Sequence, residues 1–215
     1  MSPAKPSAPR RSTYRHGDLP RALLAAGVEL ARSGGPDAVV LREATRRAGV
    51  VPNAAYRHYA SRDELLQAVR SAALSRLAAA IEAELARLRQ GTSLADFARA
   101  SLRAVGTGYL RFALAEPGLF RTAFSVQDAL RGAPVPEKAG PGGLNPFQLL
   151  GAALDRLVEA GLLPRERRLG AEYLAWSAVH GLALLLIEGP LRSLSPSQQR
   201  ATGERLLDMV EKGLS

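Results

Sequence analysis

The chain has 215 residues, enough to bury a core unaided, and no cysteine, which excludes thiol catalysis, thiolate metal sites and disulfides. Its net charge of +9 is uneven: residues 1–62 hold eleven Lys/Arg against four Asp/Glu, leaving +7 there and +2 on the remaining 153 residues. Charge gathered at one end points to a polyanionic partner, nucleic acid first and an anionic membrane surface second. The longest apolar run, Leu182 to Ile187, is too short to span a bilayer. The basic start leads into polar residues, unlike a signal peptide, so the expected location is cytoplasmic, with no membrane partner.

Residues 1–15, with Pro3, Pro6 and Pro9 among serines and basic residues, predict a flexible basic arm. A helical period sets in at Leu19: Leu23, Ala26 and Leu30 share one face, widened by Leu24, Val28 and Ala31, until Ser33-Gly34-Gly35-Pro36 ends it. A second helix is expected from about Leu41 to Ala48, stopped by Gly49, and a third from about Pro52 to Tyr59. Ser61 and Glu64 have the spacing of a capping box and open a long helix to about Arg89, ended by Gly91. Ser93 starts another that runs to Glu116, and a short one is expected from Leu119 to Ser125. Gly132 to Gly143, with three prolines and four glycines, reads as a mobile loop. Helices from Pro146 to Ala160, Arg165 to Glu188 and Pro196 to Gly213 complete the chain, the last capped by Ser195 with Gln198. No alternating strand pattern and no repeat occur. The expected fold is all-α, of about nine helices.

Three short helices in the first 60 residues, with a tight glycine turn between the second and third, make a helix-turn-helix unit. Ala44, Ala48, Gly49 and Ala55 supply the small residues that a close helix crossing needs, and Asn53, Arg57 and His58 give the third helix a polar outer face. The segments His16-Gly17-Asp18-Leu19, Leu41-Arg42-Glu43, Arg47-Ala48-Gly49-Val50, Pro52 and Tyr56-Arg57-His58-Tyr59 resemble the N-terminal domain of the TetR family of regulators, over about residues 14–70.

That resemblance implies a homodimeric DNA-binding transcription regulator, with a helix-turn-helix domain at 16–62 and a helical ligand-sensing and dimerisation domain at 63–215. The two reading helices would enter the major groove of a palindromic operator ~34–36 Å apart. Asn53, Ala54 and Arg57 match positions that approach bases, with Arg42 reaching a base edge or phosphate. Tyr56, His58 and Arg62 match phosphate-contacting positions. The chemistry agrees, because Arg pairs with guanine and Asn with adenine in bidentate fashion, whereas hydroxyl and imidazole contacts to phosphate only position the protein. Tyr59 reads as core, and Arg46 and Arg47 as a solvated face. Val40 and Val51 depart from the family, which usually has Ser or Thr at these helix caps. Thr45 stands where a small apolar residue is usual.

In the C-terminal half, Glu116-Pro117-Gly118-Leu119-Phe120 and Trp176 with His180-Gly181 resemble the TetR subgroup whose sensor domain carries a Trp…His-Gly signature. Tyr173, Trp176, Ser177, His180 and Leu184 share a helical stripe. With Tyr109, Phe112, Phe120, Phe124 and Phe147 they either line an apolar effector pocket or form plain core. The resemblance favours a pocket for a small, largely apolar ligand. It also implies a four-helix dimer interface from about 165–188 and 195–213, using Leu174, Ala178, Gly181, Leu182, Leu185, Leu206, Leu207 and Val210. Ligand binding would then shift the helix that begins at Arg62 and release a repressor from DNA. No nucleophile motif, phosphate-binding glycine loop or metal-spaced His/Glu set is present, so no enzyme, cofactor or metal is expected. The alternative is a basic interaction or membrane-surface protein without sequence-specific DNA binding.

Overall fold

The computed structural model describes residues 19–88, 93–125 and 136–214, and these form ten α-helices with no strand among them. The basic arm at 1–15 lies outside the described residues. Helices α1 (Leu19–Gly34), α2 (Leu41–Ala48) and α3 (Pro52–Ala55) make the N-terminal unit. α2 ends at Gly49, whose φ of 67° is left-handed and whose N–H returns to the carbonyls of Thr45 and Arg46. Any residue with a Cβ would be strained there.

Helix α4 (Arg62–Leu85) runs from this unit deep into the C-terminal half. Ser61 caps it, its hydroxyl accepting from the Glu64 N–H at 3.2 Å, while the Glu64 carboxylate accepts from the Ala60 N–H at 2.6 Å. Near its start Leu65 and Val69 pack against Gly27 of α1, and near its end the Ile81 backbone meets Gly108 of α5 (Leu94–Ala115). A Cβ on Gly108 would lie 2.6 Å from the Ile81 Cα, so the α4–α5 crossing requires glycine there. Around these two helices pack α6 (Pro117–Ala123), α7 (Pro146–Glu159), α9 (Ala171–Ile187) and α10 (Pro196–Leu214), with the short α8 (Arg165–Arg168) lying against α7.

The all-α expectation holds, with differences in detail. The helix expected from Arg165 to Glu188 is broken: Leu169 is extended, and Gly170, at φ 84°, takes a left-handed turn between α8 and α9. Arg168 fixes the break by bridging Asp155 on α7 (2.7 Å) and Glu172 on α9 (2.6 Å). The third helix stops at Ala55, not Tyr59, because the Ala55 carbonyl accepts from both His58 and Tyr59 at 2.9 Å in a closing turn. α4 likewise closes at Leu85 through turns to Leu88, and Gly91 lies outside the described residues. The expected mobile loop is pinned from Pro136 onward. The Gly142 N–H donates to both Glu82 oxygens at 3.1 Å, an approach that Gly140 and Gly142 permit by lacking a Cβ.

Two residues assigned to a dimer face belong instead to the core of their own protomer. Leu182 and Leu207 are each 7% exposed, and Leu207 sits against Gly106. Leu174, Ala178, Gly181 and Leu185 form the adjacent, more open stripe of α9. Leu174 is 68% exposed and Leu185 43%, and a Cβ on Gly181 would meet nothing within 4 Å.

The N-terminal unit and the rest meet at α6. A Cβ on Gly118 would lie 2.3 and 2.4 Å from the carbonyl oxygens of Ala31 and Arg32, so α6 is seated on the last turn of α1. Beside it the Arg32 guanidinium donates to Glu116 at 2.7 Å. Both clashing atoms are backbone. Gly118→Ala is therefore expected to destabilise the protein by about 1–3 kcal/mol, read as a lower urea midpoint at unchanged slope.

Candidate DNA-reading surface and sensor site

The helix-turn-helix is held from one side and open on the other. Leu41, Ala44 and Ala55 are buried, and Ala55 anchors α3 although the helix has a single turn. Thr45 is also buried, its hydroxyl satisfied by the Arg42 carbonyl at 2.6 Å. Arg42, Asn53, Tyr56, Arg57 and His58 are exposed, and Ala54 is half-buried at their base. The two tyrosines separate as expected. Tyr56 is 55% exposed, whereas half-buried Tyr59 packs on the core with its hydroxyl 3.5 Å from the Pro20 carbonyl.

Charge on this unit is sorted by ion pairing. Glu43 accepts from Arg46 at 2.7 Å and Arg47 at 3.2 Å. The hydrogen bond from Arg46, followed by that from Arg47, holds its carboxyl down at about 2. Arg42 and Arg57 have no ion-pair partner among the described residues. Arg62, matched by resemblance to a phosphate contact, is exposed and also bonds within the fold: its Nε donates to the Val39 carbonyl (2.9 Å) and Nη2 to that of Pro36 (2.8 Å). It straps the short 3-10 turn at Pro36–Ala38 to the start of α4. Val40 is the N-cap of α2 in an extended conformation with no side-chain cap bond, and Val51 is 69% exposed.

In the C-terminal half five of the nominated rings interlock. Tyr109 of α5, Phe120 of α6, Phe124 just beyond it, and Trp176 and His180 of α9 stack edge-on or tilted, with centroids between 4.9 and 6.3 Å apart. The Trp176 Nε1–H donates to the Tyr109 hydroxyl at 3.0 Å, and that hydroxyl lies 2.7 Å from His180 Nδ1. Burial pushes the Tyr109 phenol up and the His180 imidazole down, so both are neutral near pH 7. The other candidates lie apart. Phe147 and Tyr173 pair with each other at 6.0 Å, and Phe112 is buried on α5. Leu184 and Ser177 are exposed, because the buried face of α9 is centred on Ala175, Val179, Leu182 and Leu186.

The chain matches two family models in tandem: the tetR family of bacterial regulatory proteins over residues 23–69, and the tetracyclin repressor-like C-terminal domain over residues 102–210. It belongs to the TetR family and is a DNA-binding transcriptional regulator. A protein of unknown function from Rhodococcus sp. RHA1 is 26% identical, with a TM-score of 0.73 over 95% of this chain and 99% of that one. TetR from Acinetobacter baumannii AYE is 18% identical (TM-score 0.61, covering 89% and 93%), and a variant of it has been crystallised with minocycline. The TetR family transcriptional regulator PfmR from Thermus thermophilus is 20% identical (TM-score 0.55, covering 90% and 95%). No curated protein matches the chain.

Two measurements test this geometry. Val40→Ser supplies the missing cap to a residue already extended, and is expected to stabilise the protein by about 0.5–2 kcal/mol in urea denaturation. For His180, the folded pKa lies below the unfolded value of about 6.5. Its contribution to stability is thus complete above about pH 6.5 and lost as pH falls below it, where the unfolded chain alone takes up the proton. Unfolding free energies measured between about pH 7.5 and pH 5 should fall less steeply in His180→Asn than in the wild type.

Proposed function

We propose that this regulator is a homodimeric repressor, released from a palindromic operator by a small, largely apolar ligand. The observation that carries the reading is the double role of α6. One side of this helix supplies Phe120, with Phe124 following, to the ring cluster, and the other seats Gly118 and Glu116 against the end of α1. A ligand that parts the rings would load α6, and with it both α1 and the α4 helix on which the reading unit sits. Such a ligand shifts the equilibrium only by its differential affinity for the two states. Ligand binding by the Acinetobacter TetR variant supports the class of mechanism, as does the Trp176, His180-Gly181 pattern of the Trp…His-Gly subgroup.

Division into a reading unit at 16–62 and a sensing and dimerisation unit at 63–215 follows the same logic. Dimer contacts would come from the outer stripe Leu174, Ala178, Gly181 and Leu185, joined by Leu206, Met209 and Val210 of α10. TetR-family regulators are generally not enzymes, and we assign none of these residues a catalytic role.

Selection of random duplexes on the purified protein at about 150 mM salt, held fixed because phosphate contacts make affinity salt-dependent, should enrich a palindrome with half-sites one turn apart. Enrichment of no sequence by a folded dimer would overturn the reading. On the selected site, Arg57→Ala and Asn53→Ala should each cost about 1–3 kcal/mol and relax the preference at one base position. Tyr56→Phe should weaken all sequences alike. Leu185→Glu should convert the dimer to monomer in sedimentation experiments.

A further inference from the structure

The polar atoms inside the ring cluster constrain one another. An indole N–H can only donate, so the Tyr109 oxygen accepts from Trp176, and the phenol proton needs an acceptor of its own. The ring neighbours Phe120 and Phe124 offer none. His180 Nδ1, 2.7 Å away, is the acceptor in reach. If Nδ1 instead carried a proton, the Tyr109 oxygen would receive two donors while its own proton stayed buried without a partner, at a cost of about 1–3 kcal/mol. With Nδ1 fixed as an acceptor and the ring neutral, the proton sits on Nε2. Among the described residues Nε2 has no hydrogen-bond partner, and the imidazole is half-buried.

We infer that Trp176 and Tyr109 are positioning residues that hold His180 as its Nε2–H tautomer, and that this N–H is the donor for a carbonyl-type oxygen on an otherwise apolar effector. The inference rests on the proposed ligand site at the ring cluster and deepens it. The other two polar groups there are spent on the chain Trp176–Tyr109–His180, so one donor surrounded by rings is what the site offers. It therefore takes a neutral, ring-sized molecule with one acceptor atom, and disfavours hydrocarbons of the same shape.

Two readouts test it. Long-range proton–nitrogen NMR of the His180 ring at about pH 7.5 should show Nδ1 unprotonated and Nε2 protonated, and Tyr109→Phe should turn this into a mixture of tautomers. A protonated Nδ1 in the wild type overturns the inference. Binding of acetophenone is then compared with that of its hydrocarbon isostere 2-phenylpropene by ligand-observed NMR. Partitioning from water alone favours the hydrocarbon, so tighter binding of the ketone, by about tenfold, reports the hydrogen bond. His180→Asn keeps an acceptor where Nδ1 was, and so keeps the Tyr109 bond, but lacks the Nε2 donor. It should stay folded and lose the preference. If both probes bind the wild type and the ketone has no advantage, the donor role fails while the pocket stands. If neither binds, the ligand site at this cluster fails, and the inference with it.

Discussion

Helix α4 is buried along most of its length by different partners in turn, and this sets the arrangement of the other helices. Leu65 and Val69 are covered by α1, and Leu77, Ala78 and Ile81 are fully buried deeper in the chain. A helix covered on several sides cannot show one apolar stripe. It behaves as a shared wall, so the reading unit and the sensor half are built on a single rigid element. Glycines at 27 and 108 let neighbouring helices close onto it at the two ends, and Glu82 gathers the Gly140–Gly143 segment on its flank.

The second connection, through α6, is shorter and more exacting. Side-chain packing tolerates small slides, but Gly118 faces two backbone carbonyls that have nowhere to move. The pair Arg32–Glu116 adds a charge-assisted bond at the same place. α6 has only seven residues, with the ring cluster beginning at Phe120. Rings and α1 are thus separated by less than one helical turn, too short a lever to absorb a displacement by bending.

Much of this organisation was legible in the sequence where the signals were local. The end of α2 follows from Gly49, and the starts of α4 and α10 from Ser61 with Glu64 and Ser195 with Gln198; the α10 pair closes the full box, whereas the Glu64 carboxylate reaches one residue further back, to the Ala60 N–H. Asn145-Pro146 with Gln148 is a further capping box that the same spacing rule would have found. The break at Gly170 was hidden because the charged run Arg165–Arg168 gives no stop signal of its own, and a lone glycine in a helical stretch is often tolerated. Arg62 has a role in the fold that positional matching did not reveal, because its partners Pro36 and Val39 lie over twenty residues away in the sequence. Long-range pairing also explains the ring set. The helical stripe of α9 placed Trp176 and His180 together, but the hydroxyl that joins them comes from Tyr109, 67 and 71 residues earlier.

The chain contains a single tryptophan, and it stands in the ring cluster with its indole N–H hydrogen-bonded to Tyr109. Ultraviolet emission excited at the red edge therefore arises from one known chromophore, in ring contact with Phe124 and His180. The protein carries its own optical gauge, and changes in the packing or ionisation of that cluster are visible without a label.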